Sequence, residues 1–281
     1  MSFYLYLEHL SDADLALLAT VEGDSVDDLL ARLRAAPDLL EGILARPALH
    51  ERLFASGPEE ALLQASAFLA FAVLVHRASL DLTDVPFVEE WIGPGRRVPM
   101  FEVAPLKDFA SDLGRRLFLA ELLASYTHVA SGSMWVQTAR GWHRRRFSEL
   151  DPLRLLELAK ALPERERPAI YRRLGDLSLF LTGVFPDYVG GRLLPLRARR
   201  RLQRLVPDVA MEGEVLGDIS LLEQVGRRSY LVAGRAASGH GAPAQLADLA
   251  EAFGPARRTL NFLTDRYLFP VRGRWFPLGE G

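Results

Sequence analysis

The stretch LGDLSLFLTGVFPDYV, Leu174 to Val189, sets an aspartate, a serine, a threonine and a glycine inside a run otherwise apolar enough for a buried helix. Ile170, Leu174, Leu177, Leu181 and Val184 recur on one helical face, while Leu179, Phe180 and Phe185 cover much of the rest, so the spacing predicts a helix enclosed by its neighbours. An enclosed Asp176 must be paired or hydrogen-bonded, because a bare carboxylate is costly to remove from water. Arg172 and Arg173, one turn earlier, are the expected partners. Gly183 costs about 1 kcal/mol relative to alanine in a helix interior, which predicts either a close helix crossing or a helix end before Pro186. Gly226, Ser229, Ala233 and Ala237 fall on one side of SLLEQVGRRSYLVAGRAAS, and that segment is the expected close-packed neighbour.

Working outward, the same periodicity predicts an all-α protein, a compact array of about ten helices around four apolar ones. These four are Glu60 to Leu80, Leu106 to Ala130, Pro168 to Phe185 and Gly217 to Ala237. The apolar run Ala61 to Val75 falls short of the about 20 residues that cross a bilayer, so it reads as a core helix and no membrane contact is expected. The prolines and glycines of DLTDVPFVEEWIGPGRRVPMFEVAP confine any β content to at most a small hairpin near 85–103. Residues 1–57 read as an acidic N-terminal helical lobe and 58–281 as the main helical domain, with a possible internal boundary in 81–105 and one cooperative unit overall.

Charge is unevenly laid out along the 281 residues. The net charge is −2, yet Met1 to Glu60 carries 4 basic against 12 acidic residues and Ala139 to Val206 carries 16 against 7. Such asymmetry predicts steering of a protein partner or self-association. Of the 34 basic residues only Lys107 and Lys160 are lysine. An arginine excess beside heavy Ala, Leu, Gly and Pro usage reads as genomic GC bias, so position rather than number must identify a phosphate site. Cysteine is absent, which excludes disulfides, thiolate catalysis and cysteine-ligated metals. The N-terminal MSFYLYLEHLSDADL has neither a basic start nor a small-residue cleavage site, and the expected location is cytoplasmic.

RRLGDLSLFLTGVFPDYV and LLEQVGRRSYLVAG resemble a pair of segments in an uncharacterised family of helical bacterial proteins from high-GC genomes, and FLAELLASYTHVASGSMW and RRRFSELDPLRLLELA belong to the same pattern. The resemblance covers roughly Leu117 to Gly234 and implies no activity, cofactor or substrate.

Few residues carry chemistry. Glu121 and His128 are seven apart, which on a helix places both on one face. The spacing is similar to the first ligand helix of heme-oxygenase-like di-iron proteins, but the later histidine–aspartate helix of that pattern has no counterpart, so no metal is expected. No G-x-S-x-G, phosphate-binding P-loop or dinucleotide fingerprint is present, and no catalytic residues or cofactors are assigned. Two basic clusters stand out. RGWHRRRF groups Arg140, Arg144, Arg145 and Arg146 with Trp142 and His143, a mixture suited to phosphate contact and ring stacking. LPLRARRRLQRL places Arg197, Arg200, Arg201 and Arg204 at helical spacing. The leading expectation is a non-catalytic interaction or regulatory protein that holds a protein partner. Alternatives are nucleic-acid binding through the two arginine clusters, and a small-molecule enzyme or carrier whose buried polar groups are Asp176, Glu121, His128 and Tyr230.

Overall fold

The computed structural model describes residues 2–55, 58–129, 131–138, 141–190, 194–204, 217–236, 242–268 and 275–276. The chain is all-α in class and divides into two compact units, one of residues 1–88, 100–128 and 262–281, the other of residues 89–99 and 129–261.

The first unit is built on α1 (Ser2–His9), α2 (Asp12–Glu22), α3 (Val26–Ala35), α4 (Leu39–Leu44), α5 (Pro47–Phe54), α6 (Pro58–Gln64) and α7 (Ala67–Asp84). Ser11 and Asp14 form a reciprocal capping box at the start of α2, with Asp14 Oδ2 accepting from the Ser11 amide at 2.8 Å. The other oxygen of this fully buried carboxylate accepts from the Ser66 amide at 2.7 Å, so one side chain fixes the starts of two helices. Ser66 is itself the cap of α7, and it divides the expected Glu60 to Leu80 helix into α6 and α7. α7 is buried along most of its length, as its apolar run requires. After the hairpin residues, α8 (Ala104–Ser111) and α9 (Leu113–Ser125) resume the unit, separated because Asp112 turns its carboxylate to the Arg115 amide at 2.8 Å and caps α9. The C-terminal Trp275 and Phe276 pack on Phe71 of α7, with ring centroids 5.0 and 5.6 Å away.

The second unit holds the antiparallel pair β1 (Val88–Gly93) and β2 (Arg96–Met100), which falls inside the expected 85–103 window. A second ribbon, β3 (Ser131–Thr138) with β4 (Gly141–Ser148), occupies a stretch read from sequence as loop. The glycines and mixed polarity there point to irregular chain, and the propensity of a short strand depends too much on its context to overrule them. The helices that follow are α10 (Pro152–Ala161), α11 (Arg167–Val184), α12 (Pro186–Tyr188), α13 (Leu196–Gln203), α14 (Asp218–Ala236), α15 (Ala242–Glu251) and α16 (Phe253–Leu263).

α11 and α14 form the most extensive helix pair of this unit, as the opening stretch predicted. The glycines show how closely the helices approach. A Cβ on Gly175 would lie 2.6 Å from the Tyr230 ring, and one on Gly226 would lie 2.4 Å from the Phe253 ring. Gly183 admits a different neighbour from the one expected: its Cβ would meet Leu260 of α16 at 2.7 Å. Small residues on α14 were the only complement visible in sequence, but a bulky leucine serves equally well when the glycine supplies the space.

Candidate anion-binding cleft

α10 begins where Asp151 accepts from the amides of Leu153 and Arg154 at 2.9 and 3.2 Å, with Pro152 in the first turn. Leu155, Leu156, Leu158 and Ala159 bury its inner face, leaving Arg154 and Glu157 toward solvent. α13 lies against α10 and against α14. Its buried contacts are Ala198 and Leu202, four residues apart, so the helix rotation turns Arg197, Arg200, Arg201 and Arg204 together onto another face.

Between the two helices is an open cleft of about 460 Å³. Arg154, Arg197, Arg200, Arg201 and Arg204 line it with the carboxylates of Asp151 and Glu157, and Leu153 supplies an apolar surface. Glu157 accepts from Arg201 at 2.6 Å and from Arg154 at 3.4 Å, so it partly neutralises one wall. Arg199 points elsewhere and pairs with Asp218 of α14. Among the described residues no carboxylate pairs with Arg197, Arg200 or Arg204, and all three are exposed. Three guanidiniums on one wall, without a carboxylate partner among the described residues, have the chemistry to hold an anion.

The other basic cluster is strand rather than loop. Arg140 lies outside the described residues, as do the side chains of Trp142, His143, Arg145 and Arg146. Arg144 is exposed, stands opposite Trp135 in the ribbon, and donates from Nε to Ser133 Oγ at 2.7 Å. β4 packs against α10, which therefore adjoins both basic clusters.

The buried polar candidates have structural partners. Asp176 is half-buried and accepts from the Tyr230 hydroxyl at 2.9 Å, across the α11–α14 contact. Arg173, one of its expected partners, reaches Glu149 at 3.2 Å. Glu121 accepts from His9 Nε2 at 2.7 Å. The expected common helical face of Glu121 and His128 does not form, because α9 stops at Ser125. Ser125 and Thr127 turn their hydroxyls onto the carbonyls of Leu122 and Ala124, both at 2.8 Å, and such local bonding competes with helix continuation. His128 is exposed, with Nδ1 3.1 Å from the Thr127 hydroxyl. Among the described residues no three His, Asp or Glu side chains are placed to hold a metal ion, and no helix is long and apolar enough to cross a membrane.

Sequence reasoning missed Arg154, Asp151 and Glu157 as cleft residues and Trp135 on the ribbon. The outward face of α10 was readable from its period, but its pairing with α13 depends on packing across α11 and α14. No protein-family model, curated protein or solved structure matches the chain.

Proposed function

We propose that the protein is a non-catalytic binding module whose second unit takes a phosphate-bearing polyanion in the α10–α13 cleft. The observation that carries this is the row Arg197, Arg200 and Arg204, exposed and without a carboxylate partner among the described residues. Seven helical residues span about 10 Å, which matches about three phosphates at the spacing of one stacked nucleic-acid strand. Guanidinium forks suit phosphate oxygens, and an open cleft admits a chain that passes through rather than a ligand that must be enclosed. Charge agrees at longer range: the second unit carries 23 Lys and Arg against 16 Asp and Glu, whereas the first carries 11 against 20. The test is fluorescence anisotropy of labelled inorganic polyphosphate with the full chain at low salt. Saturable binding that weakens as salt rises supports the cleft, and absence of binding rejects it.

Opposite charge on the two units, +7 and −9 from those counts, favours a second reading in which copies of the chain associate with one another. Sedimentation at low and high salt separates the two readings. Salt-sensitive oligomers support self-association, and a monomer at every concentration removes it.

A further inference from the structure

Trp135 lies midway along the β3–β4 ribbon and is 65% exposed, although tryptophan is among the residue types most strongly drawn from water. Its cross-strand neighbour Arg144 is exposed, and the Arg144 guanidinium is tethered by Nε to Ser133, two residues from Trp135 on the same strand. Alternate strand residues share a face, so Ser133 and Trp135 project together and the tether keeps a cation on the same face of the ribbon as the indole. Among the described residues Arg144 has no carboxylate partner. From the Trp135–Arg144 pair to Ser148, the base of the ribbon, is four strand residues, about 13 Å at the strand rise. Three residues further on is Asp151, which lines the cleft.

We infer that the polyanion is a single-stranded nucleic acid, with an unstacked base on Trp135 near Arg144 and phosphates several nucleotides along the same strand in the α10–α13 cleft. The inference rests on the cleft reading and adds to it the class of ligand. Indole faces and guanidinium planes stack on bases that are free of a partner strand, and a duplex keeps those faces covered. The ribbon alone has about the length of four stacked nucleotides, and the cleft begins three residues beyond its base, within the roughly 4 to 16 nucleotides that a single-strand site contacts. A simple polyphosphate fills the cleft but has nothing to offer the indole.

The experiment titrates the full chain with a single-stranded dodecathymidylate, the same sequence in duplex form, and inorganic polyphosphate, following tryptophan emission and anisotropy. The same titrations are run on Trp135→Leu and Trp135→Phe, surface changes that leave the fold intact. The expected result is quenching by the single strand, a loss of affinity of about tenfold or more in Trp135→Leu, and retention of most of the affinity in Trp135→Phe. Polyphosphate affinity stays within about twofold across all three proteins, because it depends on the cleft charges. Equal binding of single strand by wild type and Trp135→Leu overturns the inference, as does equal or tighter binding of the duplex. Binding of polyphosphate without binding of the oligonucleotide overturns the inference alone, and failure of every ligand to bind overturns the cleft reading with it.

Discussion

α11 and α13 belong to the same unit and treat their polar side chains in opposite ways. In α11, Ser178 donates to the Leu174 carbonyl at 2.8 Å and Thr182 to the Ser178 carbonyl at 2.7 Å. Asn261 donates to the carbonyls of Thr182 and Gly183 at 3.1 and 2.6 Å, closing the end of the helix where no further turn can do so. Asn261 is held in turn by buried Arg257, which also binds Glu90 and Glu223. In α13, by contrast, Ala198 and Leu202 are the buried residues, and three arginines end in solvent with no carboxylate partner among the described residues. Both helices are rich in groups that attract functional interpretation. What separates architecture from recognition is whether the hydrogen-bonding capacity of those groups is already filled inside the fold.

Several substitutions set the two helices against each other. The largest effect falls on Gly183→Val. A Cβ there meets the Leu260 Cβ at 2.7 Å, an atom fixed close to its own backbone, so the helices must separate. The expected loss is about 3 kcal/mol in urea unfolding, the upper part of the usual range for overpacking. An unchanged midpoint would show that the α11–α16 crossing is looser than described.

A comparable effect comes from pH in the first unit, where α7 carries a buried titratable group. His76 is 4% exposed and its Nδ1 lies 2.8 Å from the Ala72 carbonyl oxygen. Burial, aided by the charge of Arg116, lowers its pKa from 6.5 to about 4. The folded state therefore favours neutral imidazole, and the unfolded chain binds the proton first as pH falls. Stability from this group is complete above pH 6.5 and is lost progressively down to pH 4, a total of about 3 kcal/mol. Urea unfolding of wild type and His76→Met at pH 7.0, 5.5 and 4.5 isolates the term, since the variant lacks it. Parallel pH dependence in the two proteins would contradict it.

Tyr230→Phe removes the hydroxyl that serves Asp176 and leaves the ring against Gly175. The expected cost is about 1 to 2 kcal/mol, the range for a partly buried bond to a charged acceptor. Any change in anion affinity from this variant would place Asp176 in the binding site rather than in the framework.

The enclosed character of Leu174 to Val184 was legible because eleven residues with hardly a solvent face leave no other reading. The position of the β1–β2 hairpin was legible from its prolines and glycines. Three features were not. The Tyr230 hydroxyl that donates to Asp176 comes from 54 residues away, and no local spacing points to it. The ribbon that carries Arg144 lies in a stretch whose glycines and clustered arginines read as loop, and short-strand propensity is too dependent on context to overrule them. The cleft needs α10 beside α13, an outcome of packing in which the sequence shows only two separately amphipathic helices. Arg197, Arg200, Arg201 and Arg204 could be named from their period alone, but not which of them Glu157 would occupy.

The comparison turns on whether the α13 arginines are available to an external anion. The most direct measurement is the salt dependence of dodecathymidylate binding by wild type and by the triple variant Arg197→Gln, Arg200→Gln, Arg204→Gln. These surface changes alter stability by less than about 0.5 kcal/mol. The plot of log affinity against log salt is expected to become shallower by about 2, since each phosphate neutralised on a single strand contributes about 0.7. A variant with the wild-type slope and affinity would contradict the account and return those guanidiniums to the status of a solvated helix face.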